Sequence, residues 1–291
     1  MSVLFALLSA FCNGSTTLLQ RIASVSSPKG MPVPRLAWHL VRQPLWLLGL
    51  AFMAGTFVFS AVALYFGSLA VVQPFLVTEL IFTVALRQWW LHDEIARRSW
   101  LAAMLICGGL AGFLLIAQPH EGVRVPSAGA WAAAVAWRAV AVGLLLLLGR
   151  RTTPVVRATL TGCAAGLVWS IDAGFVKRAT EVLSRHGWAG LLGHWSLYAL
   201  VVTGAIGMLL LQMALHAGPL TASQPAILIT DPLASIVLGV ELFGEHLSGG
   251  AVAVTVGVLM LGVMAAGVVL LSLWAPPVAA ASEGLGGRRP L

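Results

Sequence analysis

Two carboxylates stand where a charge is expensive: Glu79 in VVQPFLVTELIF (71–82) and Asp231 in ASQPAILITDPLAS (222–235). Moving a carboxylate to the centre of a membrane helix costs about 2.5–3.5 kcal/mol on insertion scales, so such residues face a bundle interior and mark ion, proton or substrate paths. Each acid follows a threonine, Thr78 or Thr230, and each has a hydroxyl four residues on, Thr83 or Ser235, on the same helix face. Binding a cation or exchanging a proton is the chemistry this pattern suits; a structural pair with Arg138 is the bland alternative. Gln73-Pro74 and Gln224-Pro225 precede the acids. A proline removes a backbone donor and frees a carbonyl of the previous turn, which either lines a cavity in a broken helix or falls harmlessly in a first turn. Both readings stay open. Gln224 and Asp231 are seven residues apart and share a face, whereas Gln73 and Glu79 are six apart and do not. A bulge or kink would restore the equivalence; otherwise the two sites are asymmetric.

Arg138 is the one basic residue in the middle of an apolar run. It would neutralise Glu79, Asp231 or Asp172, or hold an anionic substrate, and an ion pair is the preferred reading because an unpaired charge there is so costly. Asp172 lies toward the end of its run, close to Lys177 and Arg178, and is a secondary candidate. Substrate or ion binding is therefore assigned to Glu79, Asp231, Gln73, Gln224, Thr78, Thr230, Asp172 and Arg138, with the question of a metal left open. Asn13, Ser15 and Ser170 read as interhelical hydrogen-bond glue. Gly108 with Gly112, and Gly162 with Gly166, have the GxxxG spacing of close helix packing. Glu94 and Glu245 recur at helix ends and suggest a capping or pairing role, for instance with Arg97.

The elements that must carry these residues follow from composition. Of 291 residues 59% are hydrophobic and 9% charged, and mean hydropathy is +0.94, far from the roughly 25% charge of a soluble domain. About 20 apolar residues cross a bilayer, and nine runs qualify: 2–20, 45–67, 70–91, 98–117, 128–149, 157–178, 194–215, 220–243 and 250–274. The fold class is an all-α polytopic membrane protein. Cys12, Cys107 and Cys163 all fall inside apolar runs and read as packing residues. No HExxH, GxSxG or P-loop string is present, and the histidines are scattered, so neither an enzyme nor a cofactor is expected. The net charge of +7 comes from loops, which fits the positive-inside rule rather than nucleic acid. Twelve Lys and Arg fall on one side (loops near 21–42, 87–98, 150–157 and 288–289) and four on the other (Arg124, Lys177, Arg178, Arg185). The N-terminus is thus expected outside and the C-terminus in the cytoplasm of a cell (inner or plasma) membrane.

An offset of 151 residues superimposes Gly67 on Gly218, Leu69 on Leu220, Gln73 on Gln224, Pro74 on Pro225 and Glu94 on Glu245. The matched runs lie five helices apart, and an odd number inverts their orientation, as in many secondary transporters. The first repeat is 1–117, with four helices. The second is 128–274, with five, the first of them having no counterpart. The tail 275–291 is rich in Pro, Gly and Ala and is expected to be disordered and cytoplasmic.

The strings LSAFCNGSTTLLQR, ALYFGSLAVVQPF and ELFGEHL make the chain similar to the drug/metabolite transporter (EamA-like) superfamily, and within it to the NIPA-type magnesium-transporter branch. That resemblance implies a nine-helix fold and solute transport. The NIPA-type pattern carries a Glu and an Asn in its second helix where Phe57 and Ser60 stand here, so the fold carries over further than magnesium does. The expectation is a secondary transporter of a small solute or cation working by alternating access, coupled to ions or protons through Glu79 and Asp231. A NIPA-like divalent-cation transporter and a non-transporting scaffold or accessory subunit are the alternatives. Partners are a small-molecule or cation substrate and the lipid bilayer, with a homodimer open and no nucleic acid.

Overall fold

The computed structural model describes residues 1–25, 42–91, 97–120, 122, 126–218, 220–247 and 250–274. Glu94, Arg124 and the tail 275–291, on which expectations fall, lie outside them. Among the described residues ten α-helices form: α1 (Ser2–Val25), α2 (Pro44–Phe66), α3 (Leu69–Leu76), α4 (Glu79–Leu91), α5 (Arg97–Ala117), α6 (Ala128–Gly149), α7 (Pro154–Leu192), α8 (Trp195–Ala217), α9 (Leu220–Leu238) and α10 (Gly250–Trp274). A π-helical turn, Gly239–Phe243, extends α9. Among the described residues nine segments are long and apolar enough to span a membrane, with α3 and α4 together making one of them.

Local sequence explains the boundaries. Pro44 and Pro154 start α2 and α7, where a missing N–H does no harm. Ser68 and Ser127 cap α3 and α6 by accepting from the amides of Val71 and Ala130, each at 3.2 Å. Gly244, with φ 66°, closes the π turn in the left-handed region that glycine favours. One boundary departs from expectation: α7 does not stop near 178. It runs on to a kink at Gly187 (φ 65°), and Arg178–Glu181 and Glu181–Arg185 pair one turn apart along that extension.

The interior is assembled by small-residue crossings. α1 packs on α2 and on α3–α4; α7 packs on α8, α9 and α6; α5 runs along α10; and α3 meets α9. A Cβ on Gly109 would lie 2.5 Å from the Met264 amide nitrogen, and one on Gly267 would lie 2.8 Å from the Ala102 carbonyl, so α5 and α10 touch backbone to backbone. Gly162 and Gly166 do pack tightly, as their spacing predicts, against α9. In the other pair Gly112 meets α10, where a Cβ would fall 2.6 Å from the Met260 sulfur, whereas Gly108 faces open space and its neighbour Gly109 makes the second contact. Leu69, Val72, Trp131, Phe175, Leu238 and Phe243 fill one core. Ile106, Phe113, Met264, Val268 and Leu271 fill another. Leu47, Phe57 and Val58 of α2, Val140, Leu144 and Leu148 of α6, and Val201, Leu209 and Met213 of α8 point outward, the apolar coat a bilayer requires.

A feature the sequence did not announce is a two-stranded clasp. β1 (Pro119–His120) pairs antiparallel with β2 (His246–Leu247), tying the end of α5 to the segment after the π turn. The His120 and His246 rings stack at 5.6 Å.

Candidate functional site

The first Gln-Pro copy is broken and the second is continuous. Pro74 lies inside α3, and Pro225 and Pro232 lie inside α9, so the first-turn reading of the prolines fails. After Pro74 the helix tightens. Val77 bonds to Pro74, Thr78 to Phe75, Leu80 to Val77 and Ile81 to Thr78, all three residues back rather than four. Such a stretch turns about 120° per residue instead of 100°. Six residues then cover nearly the angle that seven cover in an α-helix, which rotates Glu79 toward the face of Gln73. The overwinding offsets part of the one-residue slip, but the copies stay asymmetric at the glutamines, since Gln224 is exposed. Gln73 is buried.

Glu79 opens α4 and is partly buried. The Asn13 side-chain amide of α1 donates to its carboxylate, so Asn13 does join helices, and it does so on the principal acid. Thr83 bonds at 2.8 Å to the Glu79 backbone carbonyl, not to the carboxylate. Contact between α1 and α4 depends on Gly14, where a Cβ would meet the Glu79 carbonyl and the Thr83 hydroxyl at 3.0 Å. The second copy repeats the construction. Gly166 of α7 lies against α9, where a Cβ would fall 3.0 Å from the Asp231 amide nitrogen and 2.9 Å from the Thr230 Cβ. Position 165 is an alanine, however, and offers no side-chain amide. Asp231, also partly buried, accepts from Ser235 of its own helix at 3.2 Å.

Asp172 accepts from Thr203 of α8 at 2.6 Å. It is not solvated alongside Lys177 and Arg178, which are engaged elsewhere by Glu245 and Glu181. Each of the three membrane carboxylates, Glu79, Asp172 and Asp231, thus accepts from a neutral donor. Among the described residues no three His, Cys, Asp or Glu side chains converge to hold a metal ion.

The remaining candidates lie elsewhere. Arg138 is buried but neutralises none of those acids. It pairs with Glu241 of the π turn at 3.2 Å, donates to the Ala234 carbonyl at 3.1 Å and to the Ser170 hydroxyl at 3.4 Å, and stacks on Trp137. Gln224 is exposed, because Ser223, Ala226 and Ile227 take the side of that turn facing Gly162. Thr78 is buried with its hydroxyl on the Phe75 carbonyl at 2.6 Å. Ser15 bonds within its own helix, to Phe11. Thr203 and Glu241 are the residues sequence reasoning missed. A lone hydroxyl in VVTGAIG and a second acid four residues before Glu245 were the available signals.

Glu245 proves more consequential than a helix-end residue. It is 2% exposed, and its carboxylate accepts from the amides of Leu69 (2.8 Å) and Ala70 (3.0 Å) at the start of α3 and from Lys177 of α7 (2.8 Å).

Fold and site together define an all-helical, multi-pass membrane protein with acids held between its helices. No family model matches the chain, and no solved structure matches it. An uncharacterized protein of Corynebacterium glutamicum is 27% identical over 246 residues, which cover 84% of this chain and 85% of that one.

Proposed function

We propose that this chain is a secondary transporter of a small cationic solute, working by alternating access between two inverted halves of the drug/metabolite transporter type. The observation that carries the reading is the repeated glycine-to-acid crossing. Gly14 meets Glu79 and Gly166 meets Asp231, the two glycines and the two acids being separated by the same 152 residues, and in both crossings a helix backbone reaches the backbone of the acid itself. The packing has the same symmetry: the first span lies on the second and third, the sixth on the seventh and eighth, and the fourth and ninth lie on each other. Inverted repeats of this kind place a substrate site at the interface between halves. The bonds that Glu79, Asp172 and Asp231 accept come from neutral donors, Asn13, Thr203 and Ser235, and Arg138 is committed to Glu241. The chemistry of the site therefore suits a cation or a proton.

The test is flux into proteoliposomes under an imposed proton gradient, with a panel of divalent cations, amines and amino acids. Glu79→Gln and Asp231→Asn should each abolish or strongly reduce uptake of the accepted solute. Wild-type flux in both variants would remove the acids from the mechanism. The divalent arm of the panel decides whether the NIPA-type resemblance extends to substrate.

A further inference from the structure

The three membrane carboxylates of the site each bond within the first four spans or within the last five. Glu245 does otherwise. Its carboxylate lies in the segment after α9, takes the first two amides of α3, and pairs with Lys177 of α7. One buried group thus stitches an early helix to two late segments. The surroundings are shaped for it. The Glu245 amide donates to the Gly239 carbonyl at 3.0 Å. The space a Cβ of Gly239 would need is occupied by the Glu245 carboxylate. The Lys177 ammonium sits 4.7 Å over the Phe243 ring. The β1–β2 clasp lies on the same end of the molecule and begins at the next residue, His246.

What the carboxylate grips is a lever. α3 has eight residues, Leu69–Leu76, about 12 Å of rigid rod. At its far end Val77–Thr78 is the overwound break, and Glu79 follows immediately. Pro74 has already removed one backbone bond from the ladder just before that break. The rod is therefore pinned at its start by Glu245 and hinged at its end beside the principal acid. Glu79 is held separately by Asn13, so α3 can swing without dragging the carboxylate from α1.

We propose that Glu245 is a lock. It holds α3 against α7, closing the face of the molecule on which β1 and β2 lie, and it must release the α3 amides before that face can open. By the charge tally this is the outer face. The inference rests on the transport reading, because a lock has a purpose only if the face opens in a cycle.

The experiment uses the full chain in native membranes, with Cys12, Cys107 and Cys163 replaced by alanine and one reporter, Val72→Cys, which lies fully buried in α3. A membrane-impermeant maleimide is applied from each side in turn. Glu245→Gln should raise the labelling rate at least fivefold from the β1–β2 side only. Lys177→Met should raise it less, since the α3 amides keep their acceptor. Gly239→Ala, which leaves both charges in place but fills the carboxylate's space, should reproduce the Glu245→Gln effect. Labelling unchanged in all three variants overturns the lock. So does an equal rise at a second reporter, Ile106→Cys, buried between α5 and α10, which would mean general loosening. The two proposals fail separately. If labelling responds while Glu79→Gln and Asp231→Asn leave flux untouched, the lock stands and the acids lose their role. If flux depends on the acids while labelling is indifferent to Glu245, the lock alone falls.

Discussion

At the scale of single residues, the acids of this protein differ in how they are held. Glu79 depends on a neighbouring helix through Asn13, and Asp231 on a hydroxyl of its own helix. An interhelical hydrogen bond in a membrane protein contributes about 0.6–1.7 kcal/mol. Asn13→Ala should therefore lower the melting temperature of the detergent-solubilised protein by the equivalent of about 1 kcal/mol, and Ser235→Ala by much less. Arg138 gives a second contrast. Glu241→Gln leaves it the Ala134 and Ala234 carbonyls and Ser170 as acceptors, and Glu241 itself is 39% exposed, so a cost of about 1 kcal/mol is expected. Arg138→Met removes the buried charge altogether and should rescue most of that loss in the double variant, as replacement of buried ion pairs by apolar groups does elsewhere. Equal and additive losses in thermal unfolding would mean that the two residues are not a pair.

At the scale of elements, backbone proximity decides which glycines matter. Gly108→Ala should be close to neutral, because its face is open, whereas Gly109→Ala drives a methyl group into the α10 backbone at Met264. Overpacking of that kind costs about 1–3 kcal/mol, readable as a lower melting temperature for Gly109→Ala alone. Gly166→Ala should behave like Gly109→Ala in stability and also reduce flux, since the α9 backbone it displaces carries Asp231. GxxxG spacing could name Gly162 and Gly166 because both lie on one face of α7. On α5 it named Gly112 correctly but Gly108 in place of Gly109, because the run of small residues Gly108, Gly109, Ala111 and Gly112 around Leu110 leaves the rotation of the helix undetermined. Only the partner α10 fixes it.

At the scale of the whole molecule, the distribution of charge over the loops sets the expected orientation. A reporter active only in the cytoplasm should be active when fused to the C-terminus and inactive when fused to the N-terminus, as the twelve-to-four distribution of Lys and Arg predicts. The opposite pattern would move the lock at Glu245 to the inner face without changing its geometry. The sequence by itself determined nine apolar spans, the two Gln-Pro copies and the pair of acids, because hydropathy and repetition are local properties that a bilayer forces the chain to display. It left to tertiary structure the partners of every buried charge. Arg138 met Glu241, Lys177 met Glu245 and Asp172 met Thr203, pairs separated by as many as 103 residues in the chain. Spacing along one helix reports which residues share a face, but which foreign helix that face meets depends on how all the helices pack. The overwound turn at Val77–Thr78 is of the same kind: the one-residue slip is visible in the sequence, and only the folded chain shows a twist there, with Gln73 buried and Gln224 exposed.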